Sequence, residues 1–416
     1  MHVAMLTAEY PPRWGGMGST VYHLSNALTN LGNSVTVITR RSSGKTPQIE
    51  GVRVLKVPWA KIPMAFTRSY GKWALKALEK LHSEHPVDVV HLHCPMISWD
   101  DSQFDYCTSE IAPVVSSMHG TWKGERDGML LAAKFGEPAV WVNPNDIAIR
   151  FLANRYSLFE NSAIRNSSIV VPNSKATKED LEQRYDAPED WDCQVIHWGV
   201  DTRMFVPLPS DSEDANYRKS ELRERFGSSE GSTLLLAVGR LAARKGHGAL
   251  LTSFAKVREQ TDAKLVIVGR GSLRKKLSRL SRRLGISEHI TIESGMNFEE
   301  LAELYRCCDA TIYPSYYEGQ GLIPLESMSS GTPVITVDHG PLPEMVDNSV
   351  GGLFKMGDTS SMAETILSEI SNLEKLSEKG KVGRRRVVER FTLEGNANDF
   401  SSVYLRAMEN SSRGNS

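Results

Sequence analysis

The sequence predicts an α/β protein built from two doubly wound parallel sheets, and three observations carry that prediction. Strand-like and helix-like stretches alternate through the first half of the chain and alternate again from Leu234 onward. A polar, charged stretch, Pro207–Ser232, separates the two runs. Each run opens with a short apolar strand that passes into a glycine-bearing loop and then a helix, as a doubly wound sheet begins. The 416 residues are enough for two or three domains with buried cores.

Val3–Ala8 reads as the first strand, and Glu9-Tyr-Pro-Pro-Arg-Trp-Gly-Gly-Met-Gly18 follows as a glycine loop. Ser19 is placed to cap a helix with Val21, Leu24, Leu28 and Leu31 on one face, ended by Gly32. Val35–Thr39 is the second strand. The unit leaves a helix start ready for phosphate. A dinucleotide-binding dehydrogenase needs an acidic residue at the end of its second strand to hold the ribose. Thr39-Arg40-Arg41 stand there instead, and Gly-Gly-x-Gly is not G-x-G-x-x-G, so NAD is not expected. Close strand–helix packing stays open as the sole reason for this loop.

Val52–Val57 is the next strand. From Lys56 to Lys80, six basic residues stand against one acid, Glu79, with Trp59, Phe66, Tyr70 and Trp73 between them. From Lys72 the spacing is helical, with Ala74, Ala77, Leu78 and Leu81 inside and Lys72, Lys76 and Lys80 outside. A solvated lysine edge and an interfacial patch for anionic lipid both fit residues 56–81. Val87–His93 is a buried strand that sets His91 and His93 on one face; no third metal ligand stands nearby, so structural or substrate-lining roles are expected. Pro113–Met118 leads into His119, and a histidine at the carboxyl end of such a strand faces the ligand crevice. Residues 124–166 should be mainly helical. Ile169–Ser174 is a strand, with Asn173 or Ser174 capping the helix from Lys175. Asp190-Trp-Asp192 has the D-x-D form but lies in a polar connector before a strand at Gln194–His197, and is read as incidental.

In the second half, Leu234–Val238 is a strand followed by Gly239-Arg240-Leu-Ala-Ala-Arg244-Lys245-Gly246 and a helix, His247–Glu259. Leu265–Val268 leads through Gly269-Arg270-Gly271 into a basic helix. After Ile290–Ile292, Asn297 caps a helix with Glu300 at its third position. Ala310–Tyr313 is a strand ended by Pro314. Gly319 and Gly321 flank Gln320, where backbone can approach a ligand. Pro324 suits a first helical turn, and Gly331 suits the helix end. Glu318 then lies on the loop and Glu326 in the first turn. Carboxylates so placed accept hydrogen bonds from vicinal hydroxyls, while free N–H groups at the helix start bind hydroxyl or phosphate oxygens. Arg240 and Lys245 fit either a solvated basic loop or a pair of cations for a leaving diphosphate. Helical sequence runs from Ser360 to Met408, and Asn410–Ser416 is expected to be disordered.

Composition narrows the classes. Basic and acidic residues balance, 49 against 50, so no global field points to nucleic acid. Five cysteines, an odd number without CxxC spacing, suggest free thiols in a reducing compartment. Met1–Glu9 lacks the charged start of a signal peptide, and no apolar run approaches the ~20 residues of a membrane span. A cytoplasmic protein, at most peripheral at the inner membrane face, is expected.

Glu318-x(7)-Glu326 with its trailing Met-x-x-Gly-Thr-Pro-Val-Ile resembles the E-x7-E signature of glycosyltransferase family 4, retaining enzymes of GT-B fold. Glu-Tyr-Pro-Pro…Gly-Gly-x-Gly resembles the family's opening loop, and Gly-Arg-x(4)-Lys-Gly its diphosphate loop; the likeness runs from Met1 to about Phe400. It implies two Rossmann-like domains facing across a crevice: an acceptor-binding domain, residues 1–205, with a final helix at about 390–410 crossing back to it, and a nucleotide-sugar domain, 206–389. It implies transfer of a sugar from a UDP- or GDP-sugar to a sugar, glycan or lipid-linked hydroxyl, with neither metal nor cofactor and with domain closure gating turnover. His119, Arg240, Lys245 and Glu318 become catalytic candidates. Gly16, Arg270, Met296, Gln320, Gly321, Leu322 and Glu326 join Arg240, Lys245 and Glu318 around the donor. His197-Trp198 departs from the family's usual Pro-Asn at the hinge segment. A nucleotide-sugar epimerase or phosphorylase of the same fold, and a non-catalytic carbohydrate-binding protein, are the rival readings.

Overall fold

The computed structural model of the chain describes residues 1–12, 14–209, 212–229 and 231–414. Packing divides them into two units. Met1–Arg126, Ile147–Gly199 and the residues from Leu393 on form the first; Asp127–Asp146 and Val200–Thr392 form the second.

In the first unit the chain runs β1 (His2–Thr7), α1 (Gly16–Asn30), β2 (Ser34–Arg40), β3 (Val52–Val57), α2 (Ala65–Glu84), β4 (Val89–Cys94), α3 (Asp101–Glu110) and β5 (Val114–Met118). It continues through α4 (Trp122–Lys134), α5 (Pro144–Asn166), β6 (Ile169–Pro172) and α6 (Lys175–Arg184). All strands are parallel, in the order β3-β2-β1-β4-β5-β6. β1, β4 and β5 are buried almost throughout, as strands covered on both faces must be, with His91, His93, Ser116 and Ser117 among the buried residues. Arg40, at the end of β2 where a dinucleotide site would need an acid, is turned inward. Its Nε donates to Ala8 O at 2.5 Å, and its guanidinium lies 4.6 Å from the ring centres of Trp59 and Phe66.

The second unit runs α7 (Glu213–Arg225), β7 (Leu234–Val238), α8 (His247–Arg258), β8 (Lys264–Val268), α9 (Arg274–Arg283), β9 (Ile290–Glu293) and α10 (Phe298–Cys307). Then come β10 (Ala310–Tyr313), α11 (Leu322–Ser329), β11 (Val334–Val337), α12 (Leu342–Met345), β12 (Gly351–Phe354), α13 (Thr359–Ile370) and α14 (Leu373–Arg390). Its parallel sheet has the order β12-β11-β10-β7-β8-β9, the same winding as the first sheet. In each sheet the order reverses between the first and fourth strands of its unit, so the loops leaving their carboxyl ends lie side by side. Ligands of doubly wound sheets bind at that switch point. The last helix, α15 (Leu393–Gly414), packs on α1, β4 and β5 of the first unit.

Several local expectations are corrected. α1 begins at Gly16 after an uncapped Gly15, not at Ser19, whose N–H already donates to Gly15 O at 2.9 Å. Gln194–His197 is not a strand. Gln194 and Ile196 donate to the β6 edge, but the only ladder pairing is the bridge from Val170 to Cys193. Glu326 falls in the second turn of α11, because the helix starts at Leu322. Residues 410–414 continue α15 as helix, and the rest of the segment expected to be disordered lies outside the described residues. The expected boundary at 205/206 differs from the packed units in two places: the break falls at 199/200, and residues 127–146 pack with the second unit. Asp192 of the D-x-D accepts from Arg406 of α15 at 3.0 and 3.1 Å, an ion pair that ties the connector to the helix.

Arg384 of α14 holds the start of the second unit together. Its guanidinium donates to the carbonyls of Thr202, Phe205 and Ser329 at 2.8–3.1 Å. Arg384→Ala would strand three carbonyl oxygens and should cost about 2–4 kcal/mol, read by chemical denaturation.

Candidate functional site

In the second unit the site is built where β7 and β10 end, at the switch point. The loop after β7 turns through a short 3-10 segment, Ala243–Lys245, and enters α8 at Gly246. Gly246 has φ +72°, and a Cβ there would stand 2.0 Å from Pro314 O, so only glycine lets the two loops touch. Tyr316 N–H donates to Arg244 O at 2.8 Å, and Arg244 Nη1 to Tyr317 O at 3.2 Å. These contacts set Lys245 against Glu318. Lys245 Nζ donates to Glu318 Oε1, with both side chains about nine-tenths buried. Tyr313, the last residue of β10, closes the group: its hydroxyl donates to Glu318 Oε1 at 2.7 Å and accepts from Lys245 at 3.2 Å. Burial would push the Glu318 carboxyl up, but the charges of Lys245 and Arg244 outweigh it and hold it below the usual range.

Gly321 caps α11 with φ +108°, leaving the N–H groups of the first turn without a side-chain cap. A Cβ on Gly239 would lie 3.7 Å from Ile323, so the Gly239-Arg240 turn adjoins that helix start. Arg240 is exposed. Glu326 faces α10 and accepts from Tyr305 Oη at 3.1 Å; burial pushes its carboxyl up to about 7, partly offset by that bond. Gln320 is buried, with its amide 3.8 Å from Met345 Sδ. Arg270 and Met296 lie at the ends of β8 and β9, and a Cβ on Gly295 would stand 3.9 Å from Arg270 Nη2. Among the described residues, no group of three His, Cys, Asp or Glu is arranged to hold a metal ion.

The first unit brings other residues together. His119 follows β5, and its Nε2 lies 2.9 Å from Nδ1 of His93. His91 bridges Ser117 Oγ (2.7 Å) and Tyr404 Oη (2.8 Å). Trp198, the departure from the family pattern, stacks on His119 at 5.0 Å and on Phe400 at 4.9 Å. Its ring therefore fills the space between the end of β5 and α15 and fixes the plane of His119. Burial lowers His91 and His119 to about 3 and His93 well below its ordinary value, so all three are neutral at pH 7. Gly16, at the start of α1, is exposed.

Glu137 is a residue that sequence reasoning missed. It is buried in the second unit and accepts from the N–H groups of Gly248 (2.9 Å) and Ala249 (2.7 Å), capping α8 from 110 residues away. Tyr316 Oη stands 3.4 Å from the same carboxylate, and Phe135 stacks on the Tyr316 ring. Glu137 thus braces both loops that carry Lys245 and Glu318. Burial pushes its carboxyl up to about 7. Between pH 4.5 and 7 the unfolded carboxyl is ionised while the folded one keeps its proton, so this group's contribution falls as pH rises. Glu137→Gln should remove roughly 3 kcal/mol of that slope, read as the difference between wild-type and variant stability across this window.

Two family models match the chain: Glycosyltransferase Family 4 over residues 14–204 and Glycosyl transferases group 1 over 218–386. A glycosyltransferase of Methanocaldococcus jannaschii is 29% identical over 421 residues, covering 98% of this chain and 99% of that protein. Sucrose-phosphate synthase from Thermosynechococcus elongatus superposes with a TM-score of 0.77 at 19% identity, covering 97% of this chain and 98% of that one. Anabaena HepE, solved with UDP and glucose, gives a TM-score of 0.70 at 18% identity, covering 97% and 99%.

Proposed function

From the premise that this chain belongs to the group 1 (family 4) glycosyltransferases and has the GT-B fold, we propose that it moves a hexose from a nucleotide-diphosphate sugar to an acceptor hydroxyl with retained configuration and without a metal. The observation that carries this reading is the buried Lys245–Glu318–Tyr313 group at the switch point. A buried ion pair is a poor stabiliser, but it is a ready-made exchange site. A diphosphate oxygen can take Lys245, and the freed Glu318 carboxylate, held anionic by its surroundings, can take sugar hydroxyls. Arg240 adds a second cation to the leaving group. The N–H groups of Gly321 and Leu322 serve the same charge at the start of α11. Glu326 accepts the ribose hydroxyls, Gln320 and Gly321 border the sugar, and Arg270 and Met296 flank the base. His119 and Gly16 of the first unit are assigned by the family resemblance alone; the neutral His119 ring offers one donor and one acceptor nitrogen to a hydroxyl.

With Glu318 given to the sugar hydroxyls and Glu326 to the ribose, no side chain in this set stands out as a covalent nucleophile. The acceptor hydroxyl therefore attacks from the face the diphosphate leaves. The departing phosphate oxygen takes the acceptor's proton as the C–O bond to the phosphate breaks and the new glycosidic bond forms. The UDP and glucose bound in the Anabaena protein support a donor of this class. The acceptor is a sugar, a glycan or a lipid-linked hydroxyl. Contact of residues 56–81 with a membrane is kept for the outer edge of α2 alone. Tyr70 is buried and Trp59 and Phe66 pack around Arg40, leaving Lys72, Trp73, Lys76 and Lys80 outside.

The first test is thermal shift with UDP, GDP, ADP and NAD, each at about 100 times its Kd, where specific binding adds roughly 2.7 kcal/mol. One nucleoside diphosphate should stabilise; stabilisation by NAD alone would overturn the reading. With the matching donor, Lys245→Ala and Glu318→Ala should each lower kcat by about 100- to 1000-fold. Donor turnover without any acceptor would favour the epimerase instead.

Glu326 gives a second expectation. If its ionised form accepts the ribose hydroxyls, nucleotide affinity should fall about tenfold per pH unit below about 7. Glu326→Gln should bind more weakly at pH 8 and lose that part of the slope, measured by titration calorimetry from pH 6 to 8.

A further inference from the structure

Helix α9 breaks the electrostatic rule that α7 and α10 of the second unit obey. α7 carries Glu213 and Asp214 in its first turn and Arg223 and Arg225 in its last, and α10 carries Glu299 and Glu300 first and Arg306 last. Both match the helix macrodipole. α9 reads Arg-Lys-Lys-Leu-Ser-Arg-Leu-Ser-Arg-Arg, with three cations in the first turn, no acid and no side-chain cap. Lys275, Arg279 and Arg283 repeat at four-residue spacing, which puts like charges beside one another. No acidic residue occurs from Ala263 to Ser287, while eight basic ones do. Among the described residues no carboxylate pairs with any cation of α9; Arg274 is engaged by Ser294 Oγ and Ile292 O. Leu277 and Ser281 face inward, and Lys275, Arg279, Arg282 and Arg283 are exposed. Arg274, Lys275, Ser278, Arg279 and Arg282 line a shallow concavity of about 500 Å³.

A helix carrying unrelieved repulsion in a chain of net charge −1 is complementary to an anion outside the chain. We propose that the outer face of α9 is a docking surface for an anionic lipid bilayer. The cations are spread along about 15 Å of helix rather than converging on one point, which suits a plane of headgroups rather than a single ion. No aromatic or apolar side chain is exposed among them, so nothing there stacks on bases or inserts into acyl chains. The first unit carries a cationic edge of its own on α2, where Lys72 and Lys76 also lack a carboxylate partner among the described residues. This inference stands apart from the transferase reading, because none of these residues belongs to the proposed catalytic group.

The test is co-sedimentation of the full chain with vesicles of phosphatidylcholine alone and of phosphatidylcholine with phosphatidylglycerol. Binding should require phosphatidylglycerol and weaken as salt rises. K275E/R279E/R283E should weaken it by roughly 100-fold or more. Its thermal midpoint should be equal or higher, since the repulsion is relieved, and its stabilisation by the preferred nucleoside diphosphate should be unchanged. K275Q/R279Q/R283Q, which keeps length without charge, should lie between. No binding to the anionic vesicles, equal binding by the triple variants, or loss only on K72E/K76E would each overturn the proposal. So would retention on a sulfated polysaccharide with no vesicle binding, which would mark a glycan surface instead. A transferase that turns over donor yet ignores vesicles would sink this inference and leave the function intact.

Discussion

One buried ion pair organises the second unit's site. Lys245 and Glu318 lie 73 residues apart in the chain, yet they meet because β7 and β10 are neighbours at the point where the sheet reverses its winding. Neither charge could be left there alone, since an unpaired buried charge costs several kcal/mol. The pair, the Tyr313 hydroxyl that bonds to both, and Gly246 that lets the loops touch are therefore one device. Replacing Lys245 and Glu318 together by apolar residues of similar volume is, for buried ion pairs in general, often neutral or stabilising. Their presence is thus better explained by a ligand that exchanges partners with them than by the fold's need for stability.

The two carboxylates of the E-x7-E stretch are put to opposite electrostatic uses by their surroundings. Glu318 lies among cations and stays ionised despite burial. Glu326 has only the Tyr305 hydroxyl, and burial leaves its proton half-held near neutral pH. A group held anionic can grip a neutral sugar hydroxyl at any physiological pH. A group poised near 7 becomes a good acceptor once donors such as ribose hydroxyls arrive, because hydrogen bonds to the charged form lower its pKa. Spacing of eight residues gives the two Glu their places on loop and helix, but not their charge states.

This marks where sequence reading succeeds and where it stops. The strand–helix alternation and the Asn297–Glu300 capping box are patterns written locally along the chain, and the fold realises them. What was not legible is long-range. Glu137 caps a helix that begins 110 residues later, and nothing in Phe-Gly-Glu-Pro signals a cap. Trp198 was visible as a departure, but its stacking between His119 and Phe400 depends on α15, nearly 200 residues on. Ser19 misled because a serine beside a glycine loop looks like a cap, while the backbone turns into helix three residues earlier, at Gly16.

The missed residues share a property. Glu137, Tyr313, Tyr305 and Trp198 are buried polar or aromatic groups that hold a candidate site residue or the loop that carries it. Local motifs select for what a ligand touches. Support can be delivered from any element that packs nearby, so its position along the chain is free. Glu137 shows the consequence: residues 127–146 follow the first unit's strands in sequence, yet they pack with the second unit and brace the two loops that carry Lys245 and Glu318. The tilt and register of α8, and with them the placement of Lys245, depend on a carboxylate outside every motif of the family. Relatives that keep the motifs but differ at this position must support the α8 N-terminus by some other acceptor, because buried helix N–H groups cannot be left unbonded.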